Sequence, residues 1–374
     1  MINRHLSKEI QKRLETRKAI ILFGPRQVGK TTLIRELLNN FSGKSLVLNG
    51  DESDIRDMLR APTSTMLKNL TAGNKLVFID EAQKIEGIGN VIKLFTDNIP
   101  DVKIIATGSS SFVLADKTAE ALTGRKYEYL LLPLMFSELV ADTNLLEEKR
   151  SIEQRLIFGS YPEIVTNPGE ARELIKLIAS SYLYRDIHAL DMINNAGLFE
   201  RILKALALQI GGEVSYSELS RLLGADKNTI EKYLWVLEKA FVVFKLPAFS
   251  GNLRTEIRKG KKYYFYDNGI RNAVIGNFNP LSSRTDVGAL WENYVVSERI
   301  KKNIANNDNV ASYFWRTTQQ QEVDYIEERQ GKLSAWEIKW SPTGKHKFPG
   351  TFTDNYQLEQ AKLINRSNIE EFLL

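Results

Sequence analysis

The run Ala19–Thr32, AIILFGPRQVGKTT, passes from an apolar stretch straight into the spacing G-x-x-x-x-G-K-T. That order suits a polyphosphate. Gly24 and Gly29 let backbone N–H groups curl around phosphate oxygens, Lys30 brings a point charge to the outer phosphates, and the Thr31 hydroxyl is placed to ligate Mg²⁺. Pro25, Arg26, Gln27, Val28 and Thr32 complete the cradle, and a helix beginning near Lys30 aims the positive end of its dipole at the bound anion. A second apolar run, Leu76–Ile79, ends in Asp80 and Glu81. An aspartate at a buried strand tip can hold the Mg²⁺ shell, and the next carboxylate can polarise a water aimed at the γ-phosphate. These residues predict a site for ATP with Mg²⁺, in which Thr31 and Asp80 are the metal partners and Glu81 is the base. The bland readings are a glycine turn before an ordinary helix and an acidic pair capping a strand; loop and pair together favour the functional one.

Positioning these groups requires a sheet. Five apolar runs, Ala19–Phe23, Ser45–Leu48, Lys75–Ile79, Val102–Thr107 and Lys126–Leu132, alternate with helical patterns. Strands separated by helices imply right-handed crossovers and a parallel sheet covered on both faces. Both motifs then fall at its carboxyl edge, where ligands bind in such folds. The fourth run delivers Thr107, Gly108 and Ser109 to the same edge, where a hydroxyl can touch the γ-phosphate or orient water, or simply form a turn. Arg125, just before the fifth run, is placed either to supply transition-state charge to a neighbouring subunit's nucleotide or to sit on the surface.

GPRQVGKTT, LVFIDEAQ, IIATGSSS and LTGRKYEYLLLPLMFSEL, continued by YPEIV and YLYRDI, together resemble the archaeal and bacterial AAA+ ATPases that carry a C-terminal domain of unassigned function. The resemblance covers nearly the whole chain. It implies an ATPase in which Thr107 and Ser109 contact the reacting phosphate and Arg125 is an arginine finger. A homo-oligomer with nucleotide sites shared between subunits follows from that role.

Beyond the sheet, apolar residues at three- and four-residue spacing over 147–208 predict a helical lid, from which Arg185 either reaches the phosphates or pairs with Asp186 on the surface. A serine-capped helix from Ser215, a turn at Gly224–Asp226 and a longer helix from Lys227 have helix-turn-helix spacing. The β-prone runs that follow bracket Arg254, Arg258, Lys259, Lys261 and Lys262, opposed only by Glu256. With Lys227, Asn228 and Lys232 on the longer helix, these predict a winged helix contacting nucleic acid mainly through its basic wing. The same scaffold also serves as a protein-docking surface.

All five tryptophans lie past residue 230, and four of them, Trp291, Trp315, Trp336 and Trp340, fall after residue 285, a shift that marks a separately cored last domain reached through a linker at Asn277–Ser283. There Glu292 begins a helix, and Asp324, Glu337 and Lys339 lie on paired strands where two carboxylates and a lysine on one strand face can converge. The pattern D, then E-x-K, resembles the restriction-endonuclease-like superfamily, and Glu292 matches the extra helical glutamate that superfamily often adds. That resemblance implies a nuclease site; alternating charges on a solvated strand are the plain alternative.

The chain has 374 residues, 51 Lys and Arg against 46 Asp and Glu, and no cysteine. This is long enough for several cores, too mildly basic to identify a nucleic-acid binder by net charge, and excludes disulfides and thiolate metal sites. A polar, basic start and no apolar run of membrane-spanning length predict a soluble, cytoplasmic protein without a membrane partner. The expectation is an α/β protein: an AAA+ P-loop ATPase core with a parallel five-stranded sheet over 1–146, a helical lid over 147–208, a winged helix-turn-helix over 209–280 and a small α/β restriction-endonuclease-like domain over 281–374. DNA or another nucleic acid is the expected partner.

Overall fold

Short runs of Ile, Leu, Val and Phe, apolar at successive positions rather than alternating, build a sheet buried on both faces. These are β1 (Ala19–Phe23), β2 (Ser45–Asn49), β3 (Leu76–Asp80), β4 (Lys103–Gly108) and β5 (Lys126–Leu130). All four ladders are parallel, in the order β2-β3-β4-β1-β5. This is a computed structural model, and it describes residues 2–109, 122–181, 183, 193–250, 260–343 and 347–374. Helices α1 (His5–Arg13), α2 (Lys30–Asn39), α3 (Ser53–Leu59), α4 (Ser64–Leu70) and α5 (Ile88–Asn98) connect or flank the strands. Val91, Ile92 and Phe95 of α5 pack with Ile21, Val77, Ile79 and Ile104 in one core. The five-stranded α/β sheet expected from the sequence is present, with strand ends within two residues of those predicted.

The chain forms two compact units, Met1–Leu132 with Lys239–Phe241, and Pro133–Glu238 with Val242–Leu374. The second begins with helices α6 (Phe136–Asp142), α7 (Leu145–Phe158), α8 (Pro162–Thr166), α9 (Ala171–Ala179) and α10 (Ala196–Leu208). There follow β6 (Glu213–Val214), α11 (Tyr216–Leu223), α12 (Lys227–Lys239), β7 (Val243–Pro247) and β8 (Lys261–Phe265), the three strands pairing antiparallel as β6-β8-β7. The turn between α11 and α12 is built from residue types that suit it. Ser215 caps α11 by accepting from the Glu218 amide at 3.3 Å, Gly224 takes a left-handed φ of 63°, and Asp226 accepts from the amides of Asn228 and Thr229.

The last part comprises α13 (Asn268–Ile275), α14 (Val287–Ala305), β9 (Ala311–Arg316), β10 (Glu322–Arg329), β11 (Lys332–Ile338), α15 (Gly350–Thr353), β12 (Leu358–Ile364) and α16 (Glu370–Leu373). Its sheet is mixed: β9, β10 and β11 run antiparallel and β12 lies parallel to β11.

The linker expected at Asn277–Ser283 is not a loose tether. Arg271 and Arg284 clasp Asp286 from both sides at 2.6 and 2.8 Å, and Arg284 also donates to the Asn277 carbonyl at 2.8 Å. Burial alone would raise the Asp286 carboxyl, but the two guanidinium groups hold it at about 2. Upstream, Asn272 donates to the carbonyls of Leu156 and Ile157, and Asp267 accepts from the Ser160 amide at 2.7 Å.

Candidate nucleotide site and C-terminal carboxylate cluster

The loop between β1 and α2 is shaped by backbone conformations that a phosphate cradle needs. Gly24 has φ 152° and packs so closely on the tip of β5 that a Cβ there would lie 2.0 Å from the Leu131 carbonyl oxygen. Gln27 and Gly29 also have positive φ, 61° and 91°, which turns consecutive amides toward the loop's concavity. Lys30 opens α2 with its side chain buried, and its Nζ donates to the carbonyls of Gly24 and Pro25, each at 2.8 Å. Pro25 to Val28 complete the curl and Thr32 follows on the helix.

Asp80 ends β3 beside this loop. The register Ile79↔Ala106 puts Thr107 next to it on β4, and Leu22↔Thr107 puts β1 on the other side. The Asp80 carboxylate accepts from the Thr31 hydroxyl at 2.8 Å and from the Thr107 hydroxyl, while the Glu81 amide donates to its Oδ1 at 3.2 Å. Glu81 itself sits in the left-handed region, φ 47°, with Gly50 beneath it where a Cβ would come 2.5 Å from the Glu81 carbonyl oxygen. Gln83 donates through Nε2 to Glu81 Oε2 and, at 3.1 Å, to the Ser109 hydroxyl. Lys30, Thr31, Asp80, Glu81, Thr107 and Ser109 thus meet at one sheet edge. Gln83, which closes the motif LVFIDEAQ but was given no role from the sequence, joins them. The donor set fits Mg²⁺, since a hydroxyl and a carboxylate oxygen side by side are hard ligands next to the lysine-bearing loop.

Arg125 stands elsewhere. Because Ala19 pairs with Lys126 and Phe23 with Leu130, Arg125 lies at the amino edge of the sheet, a strand length of roughly 16 Å from its own phosphate loop. Its Nε donates to Asp97 at 2.7 Å in a half-exposed pair. The described fold therefore does not bring it into the site of its own chain.

In the second unit, Asp324 of β10, Glu337 of β11 and Lys339 just after it converge, as the strand pairing led one to expect, and Glu292 of α14, named from the resemblance, lies near them. Lys339 Nζ lies 2.6 Å from Glu337 and 3.5 Å from Asp324, whose Oδ2 also accepts from the Ile338 amide at 2.8 Å. Burial, with Glu292 and Glu337 nearby, pushes Asp324 up to about 8 against the pull of Lys339 and Lys262. Burial alone would lower the Lys339 ammonium, but Asp324 and Glu337 raise it. Among the described residues no three His, Asp or Glu side chains are grouped so as to hold a metal ion.

Lys262 corrects one expectation. Placed on the wing as a phosphate contact, it is instead 1% exposed, with its Nζ 3.0 Å from Glu292 and paired also with Glu322. Burial alone would lower it, but Tyr264, Glu292 and Glu322 hold it well above the ordinary lysine value. Period-two alternation on β8 points one lysine in and the next out, and the sequence alone did not say which. The Tyr264 hydroxyl donates to the same Glu292 oxygen at 2.6 Å, so β8 supplies two unforeseen members of this cluster. Lys261 faces the other way, its Nζ 5.1 Å from the Tyr216 ring centroid. Lys227, Asn228 and Lys232 are exposed on α12 as expected. Arg185, Arg254, Arg258 and Lys259 lie outside the described residues.

A parallel five-stranded sheet with a lysine-bearing glycine loop after β1 and an aspartate at the tip of β3 defines the P-loop ATPase fold of the AAA type. Consistent with this, residues 16–140 match the family model described as AAA domain, while 149–281 and 287–371 match two domains of unknown function, DUF8612 and DUF4143. An uncharacterized protein of Mycobacterium tuberculosis is 29% identical over 91% of this chain and 74% of its own length. One of Methanocaldococcus jannaschii is 25% identical over 86% and 74%. The solved Walker-type ATPase Paby2304 of Pyrococcus abyssi shares the fold at a TM-score of 0.50 and 17% identity, covering 74% of this chain and 96% of that one. No helix among the described residues is long and apolar enough to cross a membrane.

Proposed function

We propose that this protein is a Mg²⁺-dependent ATPase that acts on nucleic acid from the cytoplasm. One observation carries the ATPase reading: the Asp80 carboxylate accepting from the Thr31 hydroxyl at 2.8 Å, at the mouth of a loop whose lysine is buried. Loop amides and Lys30 hold the β- and γ-phosphates; Thr31 and Asp80 are the ligands for Mg²⁺, which neutralises phosphate charge when bound. Thr107 fixes the Asp80 rotamer, and Ser109 with Gln83 fixes Glu81. Glu81 accepts a proton from the attacking water, whose oxygen bonds to the γ-phosphorus as the bond to the β–γ bridging oxygen breaks, giving ADP and phosphate. Arg125, out of reach of its own loop, serves the nucleotide of a neighbouring copy, which makes the working form a homo-oligomer. The test is steady-state turnover: Glu81→Gln is expected to bind ATP with parental affinity and lose about 10²–10⁴ in rate, and parental turnover in that variant refutes the role.

The domain reading is an ATPase core over 1–146, a helical lid over 147–208, a winged helix over 209–280 and a restriction-endonuclease-like fold over 281–374. The order helix, strand, helix, helix, strand, strand with a β6-β8-β7 sheet supports the winged helix, with Lys227, Asn228, Lys232 and Lys261 contacting the nucleic acid; Arg254, Arg258 and Lys259, outside the described residues, belong to the same proposed set. In the last domain, Asp324 and Glu337 on neighbouring strands beside Lys339 support a phosphodiester-cleaving site.

A second reading has its own observation: the ammonium groups of Lys262 and Lys339 already pair with Glu292 and Glu337, as suits a nucleotide-dependent switch with an inert C-terminal domain that binds protein partners. Mg²⁺-dependent DNA cutting abolished by Asp324→Ala decides for the nuclease. Absence of cutting, together with DNA binding indifferent to charge reversal at Lys227, Lys232 and Lys261, decides for the switch.

A further inference from the structure

A phosphate loop exposes its amides to the ligand, so its carbonyls point the other way and need partners of their own. In this chain the Val28 carbonyl is met by Arg4, which precedes α1: NH1 donates to Val28 O at 2.7 Å and NH2 to Leu132 O at 2.6 Å. The two acceptors lie 24 and 128 residues away along the sequence. Leu132 follows β5, the strand whose Leu131 carbonyl already presses on Gly24. One guanidinium therefore ties the second half of the loop to the strand tip that supports the first half.

We propose that Arg4 is a positioning residue for triphosphate binding, holding the Val28–Gly29 peptide so that the Gly29 N–H faces the phosphates. The peptide unit is planar, so fixing its carbonyl fixes the direction of its N–H. Gly29 at φ 91° has no side chain to restrain that plane, and Val28, fully buried, anchors only its near side. The planar fork of arginine suits two carbonyls at a fixed separation, whereas a lysine ammonium lacks that geometry. The inference rests on the reading of residues 24–32 as the triphosphate site.

The experiment titrates MgATP by calorimetry into the parent protein, Arg4→Ala and Arg4→Lys, with circular dichroism and thermal melting to establish folding. Arg4→Ala is expected to weaken ATP binding about tenfold, as for loss of a charge-assisted hydrogen bond that orders a ligand-binding amide. Arg4→Lys is expected to fall between it and the parent. Millimolar methylguanidinium should restore part of the affinity to Arg4→Ala, and methylammonium should not; a purely structural role predicts no such selectivity. Folded Arg4→Ala binding ATP within twofold of the parent overturns the inference, as does a loss indifferent to both additives. Should Arg4→Ala fail to fold, Arg4→Lys alone decides, parental affinity there being the overturning result. Failure of the parent to bind ATP removes the site reading itself, a different outcome from equal binding by parent and variant.

Discussion

Replacing Lys30 by alanine tests the nucleotide site through a balance of two interactions. In the structure the ammonium is buried and donates to the Gly24 and Pro25 carbonyls at 2.8 Å each. To hold a phosphate it must exchange these bonds for phosphate oxygens. A unit charge about 3 Å from a phosphate charge is worth about 5 kcal/mol at an effective dielectric constant of about 20. Surrendering two charge-assisted carbonyl bonds costs about 3 kcal/mol. The difference, about 2 kcal/mol, corresponds to roughly 30-fold in affinity. Titration of Lys30→Ala with MgATP by calorimetry, at protein concentrations that bracket the parental Kd, measures it directly. Lys30→Arg separates charge from shape, because a guanidinium keeps the charge but does not fit a pocket made for a point donor; it too should bind poorly. A folded Lys30→Ala variant binding within threefold of the parent refutes the reasoning, since it would leave the buried lysine serving only the loop's own carbonyls.

A mixture of Arg125→Ala and Lys30→Ala protomers should hydrolyse ATP although each alone is nearly inactive, because the second supplies the arginine that the first lacks; turnover no higher than the sum of the two contradicts shared sites. Asp324 has a folded-state value raised to about 8 from 3.8 by burial and by Glu292 and Glu337, so the native state binds more protons than the unfolded chain in between, and its contribution weakens as pH rises through that window. Asp324→Asn should therefore melt at a higher temperature than the parent at pH 9 in chelator and at nearly the same temperature at pH 4; a lower melting point at pH 9 contradicts the raised value. Asp286→Ala strands Arg271 and Arg284 inside the second unit without their counter-ion, and denaturant titration should show a loss of about 3 kcal/mol.

What the sequence disclosed followed from how local each signal is. The phosphate loop reads clearly because Gly24, Gly29, Lys30 and Thr31 act through their own contiguous backbone, and Asp80 because it ends an uninterrupted apolar run. Asp324, Glu337 and Lys339 were legible because adjacent antiparallel strands bring short spacings together. Lys262 was misplaced because a two-residue period has two orientations, and only packing against Glu292 and Glu322 selects one. The pairing of Arg271 and Arg284 with Asp286 was not legible, because no local pattern marks two arginines 13 residues apart as sharing one carboxylate. Arg4 carried no local signal, since its acceptors are distant in the chain.

The double attachment of β8 bears on how this protein can be divided. Glu292 and Glu322 are the acids that neutralise the enclosed Lys262, and both lie downstream of residue 286. A truncated chain stopping there would not shed an independent module cleanly; it would deprive Lys262 of both its acids and strip Phe265 of the Asn293 amide that bonds its backbone. Stop codons and fusion points near that position should yield insoluble protein.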